Sequence, residues 1–306
     1  MRVGLGSVGV WRWHGGLLGW SIPLLLGAFL LAAASPLLAQ DAPKRLLFLT
    51  HAGLYKHTSL DDAEAAVTAW GENGGFAVTG LRGYTQTAPD LDLSMITREY
   101  LAGFDGVMMM TNGNLPMTPE QRAALLDFVR SGGGFVGVHN AALTFYDMPD
   151  FGEMLGGYFR RAVRQNHVFV LRVEDREHPA TRMLGPSWPI VDEMYEYGTA
   201  AWRADRPEEN VDVLFDNRIP LGFSRERVRV LLSVDTSETE LEGTGLVAGG
   251  DYPQAWVREY GEGRSFYTSI GHRDDIWTSD PVFRAHVVGG IRWALGLEDG
   301  DATPRR

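Results

Sequence analysis

Three histidines stand directly after segments that read as buried strands: His51 after RLLFLT, His139 after GGGFVGV and His272 after RSFYTSIG. Imidazole exchanges protons near neutral pH and is the commonest metal ligand, so three together would suit acid–base or metal chemistry. In an open parallel sheet, side chains at the carboxyl ends of strands converge on one crevice however far apart they lie in the chain. A shared pocket is therefore expected from the three together, although any one of them alone reads more readily as a structural or exposed histidine. Glu193 in VDEMYEYG is the carboxylate expected to join them, because a carboxylate beside imidazoles orients a ring, moves a proton or completes a metal shell. The same run also reads as a solvated acidic turn. His139, Glu193 and His272 are the expected catalytic set.

The loop HAGLYKHTS after the first strand adds Tyr55, Lys56 and His57, with Gly53 to let the backbone turn. An aromatic face packs on the C–H surface of a sugar ring while His, Lys and amide groups bond its hydroxyls. His51, Tyr55, Lys56, His57 and Asn140 are thus expected to contact substrate, the alternative being an ordinary βα loop. The chain has no cysteine, which removes thiol nucleophiles, disulfides and thiolate metal sites. A divalent metal would have to use His51, His139, His272 and Glu193. No organic cofactor is expected: no GxGxxG follows a strand, and the GGG before Phe135 lacks the GK[ST] of a phosphate loop. The turn GGGFVGVHNA has the form of a nucleophile elbow, but it presents His139 or Asn140, neither of them an acyl nucleophile.

The surrounding elements must hold these groups in place. From Lys44 the chain alternates apolar runs with helical patterns, which points to βαβ units and a mostly parallel sheet. RLLFLT (45–50), FAVTGL (76–81), GVMMMT (106–111), GGGFVGV (132–138) and HVFVLRVED (167–175) read as strands, the last near a sheet edge because charges enter its second half. Ser59 with Asp62, and Thr118 with Pro119 and Gln121, have capping-box spacing at two helix starts. Beyond Asp175, VDVLF, RVRVLLSV, QAWVREYG and RSFYTSI read as β-rich additions to the same sheet, and DPVFRAHVVGGIRWALGL (280–297) as a closing amphipathic helix. HRDDIW reads as a capped turn containing Asp274 and Asp275.

The first 40 residues differ from the rest. Arg2 and Arg12 precede an apolar run from Leu17 to Ala34 that leads to SPLLAQ, the layout of a secretory signal over residues 1–39 with cleavage after Ala39. An uncleaved anchor is the other reading, and it would be the only membrane contact. Either way the expected location is periplasmic or secreted. Residues 44–297 then form one domain and 298–306 a flexible tail. Past residue 39 the chain carries 26 basic and 39 acidic residues, a formal charge of −13, which disfavours nucleic acid as a partner and leaves a small carbohydrate as the expected one, with oligomerisation open.

Four blocks, LLFLTHAGLYKH, GGGFVGVHNA, HPATRMLG followed by VDEMYEY, and PQAWVREYGEGRSFYTSIGH, together resemble the trehalose-utilisation or ThuA-like family over Arg45 to Trp293. The resemblance implies a class I glutamine amidotransferase-like fold, a flavodoxin-like three-layer α/β/α sandwich, and a role with disaccharides or their 3-keto derivatives. Cysteine-dependent amidotransfer is not implied, since His139-Asn140 stands where amidotransferases of that fold carry cysteine. The expected function is an exported hydrolase, lyase or isomerase acting on a glycoside or keto-sugar. The alternative is a non-catalytic sugar-binding module of an extracytoplasmic system.

Overall fold

The computed structural model describes residues 42–83, 92–198 and 222–305. The expected signal segment and the VDVLF strand lie outside them. In chain order the described elements are β1 (Lys44–Ala52), α1 (Leu60–Gly74), β2 (Phe76–Gly83), α2 (Arg98–Leu101), β3 (Gly106–Gly113), α3 (Pro119–Arg130), β4 (Gly134–Val138), β5 (Leu143–Thr144), α4 (Pro149–Leu155), β6 (Phe159–Ala162), β7 (His167–Val173), β8 (Ser187–Asp192), β9 (Tyr195–Tyr197), β10 (Arg229–Val234), β11 (Pro253–Tyr260), β12 (Gly263–Thr268), α5 (Asp274–Ser279) and α6 (Pro281–Ala294). No helix among the described residues is long and apolar enough to cross a membrane.

The main sheet runs β2-β1-β3-β4-β12-β11-β10-β7-β8, with β5 beside β3, and β6 pairs with β9 in a small second sheet. The sheet is mixed, which corrects the expectation of a mostly parallel one. β2, β1, β3, β4 and β12 are parallel neighbours, whereas every pair from β12 to β8 is antiparallel. The physical reason lies in the connections: β11 and β12 are joined by the two-residue turn Gly261-Glu262, which can only link antiparallel strands. β7 is second from the edge, and the edge strand is β8.

Alternation along the parallel strands divides the core. Leu46, Phe48, Met108 and Met110 pack with Leu60, Val67 and Trp70 of α1 and with Phe283, Val287 and Ile291 of α6. Leu47, Leu49, Val107 and Met109 face the other way, against Leu125, Leu126 and Val129 of α3 and Phe151, Met154 and Leu155 of α4. Burial on both faces explains why RLLFLT and GVMMMT are continuously apolar.

The α3 start is the expected capping box, Thr118 and Gln121 each satisfying the other's backbone, with Pro119 in the first turn. The α1 start is not. Ser59 makes no side-chain cap and instead donates its hydroxyl to the Gly271 carbonyl at 3.0 Å, joining the loop after β1 to the loop after β12. The C-terminal residues, expected as a flexible tail, are docked: Ala302 is buried, Arg229 bonds Asp301 and the Thr303 carbonyl, and Arg305 bonds the Glu174 carbonyl.

Candidate functional site

Four side chains converge at the carboxyl edge of the sheet. His57 belongs to the loop after β1, His139 follows β4, His272 follows β12 and Glu193 follows β8. The direction of β8 explains the last of these, because four antiparallel steps from β12 bring the chain back to the same sense. On a flat sheet β8 would lie about 19 Å from β12. The antiparallel half curls back instead, and Asp192 at the end of β8 accepts backbone N–H bonds from Gly271, His272 and Arg273 at 2.7, 3.3 and 3.1 Å. Burial raises the Asp192 carboxyl above its ordinary pKa despite these bonds. This clamp sets His272 beside Glu193.

The donor atoms are close. His139 Nε2 lies 3.1 Å from His57 Nε2, 3.3 Å from His272 Nδ1 and 3.6 Å from Glu193 Oε2, while His272 Nδ1 and Glu193 Oε2 are 3.3 Å apart. One donor atom from each of the four residues falls within 4.8 Å of all the others. Tyr195 stacks on the His139 ring and its hydroxyl donates to Nε2 at 2.8 Å. Tyr195 is itself clamped by Gln254, which accepts from its backbone N–H and donates to its carbonyl.

His139 has φ +47°, uncommon for a residue with a Cβ. The strain is held by its surroundings: Tyr267 donates its hydroxyl to the His139 carbonyl at 2.8 Å, and the ring Nδ1–H donates to the Ser269 carbonyl at 2.6 Å. Backbone strain of this kind concentrates at functional sites, where neighbours over-determine it. Here it lifts the imidazole off the end of β4 as an elbow.

Electrostatics divides the cluster. His139 is fully buried, and burial together with repulsion from His57 and His272 keeps its pKa well below the ordinary value. Burial and His272 likewise push His57 down to about 3. His272 is the exception. Burial alone would lower it, but its bond to Glu193 and the charges of Glu193, Asp192 and Asp274 outweigh that and raise it. The cluster therefore holds two neutral imidazoles and one that favours a proton.

Of the expected site residues, His139, His272 and Glu193 are thus brought together. Asn140 adjoins them, its Nδ2 3.3 Å from His57 Nδ1. His51 lies at the same edge but turns to the Gly83 carbonyl of β2 at 3.0 Å and is outside the group of four; His57, expected only to bind substrate, stands where His51 was expected in the metal set. Strand β1 continues through Ala52, so His51 is still held in the sheet register, and the chain must turn before it can reach over the edge. Tyr55 is exposed, its ring edge-on to His57 at 4.8 Å, and Lys56 is exposed beside it. Asn112 at the end of β3 pins this loop, accepting from Leu54 N–H and Tyr55 N–H and donating to the Tyr55 carbonyl. Asp274 caps no turn alone: it begins α5 and accepts from the Thr58 hydroxyl. Sequence reasoning missed Asn112, Ser269 and Gln165, the last donating to Glu193 Oε1 at 2.7 Å. Only their positions near strand ends could have signalled them.

The family model for trehalose utilisation, ThuA, matches residues 45–294. The chain belongs to the ThuA family. Its solved structural relatives agree with that fold. A ThuA-like protein from Bacteroides uniformis is 24% identical with a TM-score of 0.60, covering 83% of this chain and 92% of its own. One from Parabacteroides merdae is 20% identical with a TM-score of 0.61, covering 86% and 98%. Nothing among curated proteins matches the sequence significantly. The ThuA match spans every residue of the cluster, from His57 to His272.

Proposed function

We propose that this ThuA-family chain is an exported enzyme that acts on a glycoside or 3-keto-sugar at the His57–His139–His272–Glu193 cluster. One observation carries the reading: in a family of sugar utilisation, three imidazoles, a carboxylate and a tyrosine hydroxyl from four distant parts of the chain meet at the carboxyl edge of the sheet. That edge is where open α/β sheets bind ligands. Layering of the flavodoxin or class I amidotransferase kind would place the mouth of the site between the loops after β1 and β3, where the strand order reverses.

Glu193 is the base. It is buried yet held by Gln165, and it borders His272, the histidine that favours a proton. With a keto-sugar bound, Glu193 takes the proton from the carbon next to the carbonyl. The C–H electron pair forms the carbon–carbon double bond, the carbonyl π pair moves to oxygen, and positive charge in the cluster stabilises that enolate. Tyr55 at the exposed rim offers an aromatic face to the ring, with Lys56 beside it.

The test is turnover of a panel of 3-keto-glucosides and disaccharides by purified protein. Activity that disappears in Glu193→Gln with the circular dichroism spectrum unchanged supports the enzyme. Saturable sugar binding without product under every metal condition would replace it with the alternative, a non-catalytic sugar-binding module.

A further inference from the structure

His57, His139 and His272 differ from His178 and His286, the other buried histidines among the described residues, in having nitrogens that face one another. His286 is fully buried too, but each of its nitrogens has a conventional partner, the Ala180 carbonyl at 2.8 Å and the Thr268 hydroxyl at 3.0 Å. In the cluster the His139 proton is accounted for elsewhere. His139 Nδ1 carries its hydrogen toward the Ser269 carbonyl, so Nε2 presents a lone pair. Around that lone pair stand His57 Nε2, His272 Nδ1 and Glu193 Oε2, at 3.1, 3.3 and 3.6 Å. The Tyr195 hydroxyl, 2.8 Å from the same Nε2, supplies one hydrogen, but three imidazole nitrogens and a carboxylate oxygen round one point repel one another unless further positive charge, a proton or a cation, sits among them.

We propose that these four residues form a binding site for one divalent first-row transition ion, with His57 Nε2, His139 Nε2, His272 Nδ1 and Glu193 Oε2 as its ligands. The spacing fits. Metal bonds of about 2.0–2.2 Å to imidazole nitrogen and carboxylate oxygen give a tetrahedral edge of about 3.3–3.6 Å. Four of the six separations, 3.1 to 3.6 Å, fall on or near that edge, and all six lie within 4.8 Å, so small side-chain shifts close the shell. Three imidazole nitrogens, the His272 one giving up its proton to the ion, and one carboxylate also select zinc and its neighbours over magnesium or calcium, which prefer all-oxygen shells.

The surroundings support it independently. Metal-bound histidines hold their ring orientation through the other nitrogen, and ligating carboxylates are hydrogen-bonded in turn. His139 Nδ1 is on the Ser269 carbonyl and Glu193 Oε1 is on Gln165. Asn140 supplies the third support. Its Oδ1 is buried without a partner while Nδ2 stands 3.3 Å from His57 Nδ1. The two ends of an amide are nearly isosteric, and a half-turn gives His57 Nδ1–H an acceptor and leaves Nε2 free to ligate. That unpartnered oxygen is the feature an ordinary buried histidine pair does not explain.

As an account of catalysis this inference rests on the carbohydrate reading, where the cation would supply the positive charge that an enolate needs and Glu193 would serve as its ligand in place of base; as a metal site it stands alone. The experiment is therefore a binding measurement. The full chain is stripped with chelator, dialysed and titrated with zinc chloride by calorimetry, with metal content read by mass spectrometry after desalting. The expected result is about one equivalent of zinc per chain, with a rise in melting temperature. His57→Ala and Glu193→Gln should each weaken binding by more than the roughly 10–100-fold that loss of an outer hydrogen-bond partner costs, and Asn140→Ala by about that amount. His167→Ala, an exposed-side histidine bonded to the Glu240 carbonyl, should bind like the parent. Cobalt substitution gives a second readout, visible d–d bands that disappear in the ligand variants. Zinc that binds undiminished to folded His57→Ala and Glu193→Gln proteins, or fails to bind the folded parent, overturns the site. Metal binding without sugar turnover would overturn only the carbohydrate reading.

Discussion

His57 Nε2 and His139 Nε2 lie 3.1 Å apart, although one sits on the loop after β1 and the other on the elbow after β4. Their rings are perpendicular, with centroids 4.7 Å apart. The contact makes His57, which no strand end presents directly, as central to the cluster as His139. Replacing His57 or His139 is accordingly expected to lower kcat/KM on the preferred keto-sugar by about 10²–10⁴-fold, the usual worth of a positioned acid–base group. Steady-state kinetics on folded variants checks this, and a loss of less than tenfold would remove both from the mechanism.

The backbone strain at His139 separates two substitutions of the same residue. Asn tolerates φ +47° and Ala does not, the left-handed region costing an ordinary side chain about 1–2 kcal/mol. His139→Asn should therefore be the more stable variant by about 1 kcal/mol in urea unfolding, while both lose activity alike. Equal midpoints would show that the elbow relaxes when the ring is removed.

Gly271 stands one residue before His272 with φ +144°. An added Cβ would lie 3.0 Å from Val138 Cγ1 and 3.2 Å from Trp277. Gly271→Ala should cost about 1–3 kcal/mol from crowding of the core. It should also disturb the Asp192 clamp on Gly271 and His272, so activity should fall even under conditions where the variant is fully folded. Unfolding melts together with kinetics separate the two effects.

Away from the site, Arg229 donates to Asp175 at 2.5 Å, both side chains being almost completely buried, and a second carboxylate, Asp301, meets the same guanidinium. Breaking a buried pair from one side leaves Asp175 with only Arg305 at 3.6 Å and two backbone N–H groups, so Arg229→Met is expected to lose about 3 kcal/mol and to release the docked C-terminal residues. Faster proteolytic removal of that segment would accompany the drop in stability. A melting curve like the parent's would contradict both.

His286 makes an acid-sensitive contribution whose sign follows from its burial. Desolvation lowers its pKa from 6.5 to about 4 in the folded protein. Between those two values the unfolded chain binds the proton and the folded chain does not, so stability is intact above pH 6.5 and falls as pH drops toward 4. The full shift corresponds to about 3 kcal/mol. His286→Gln should flatten the urea-midpoint profile across that interval relative to the parent.

The α/β class, the apolar parallel strands, the α3 cap and the histidines after β4 and β12 were all legible in the sequence, because each depends on local pattern: two-sided burial makes a run continuously apolar, and a turn must follow a strand. The direction of the later strands was not, since antiparallel pairing is decided by which neighbour completes the sheet and not by a strand's own composition. The same limit separates His51 from His57. Six residues of sequence cannot show that β1 keeps its register past His51, nor that the loop pinned by Asn112 then carries His57 back over the edge. Nor does VDEMYEYG reveal that the curl of β8 delivers Glu193 to His272; that meeting exists only once Asp192 has captured the backbone of residues 271–273. Residue types set what chemistry is available, and long-range hydrogen bonds select which of those residues meet, because a distance of a few ångströms across the fold has no counterpart in spacing along the chain.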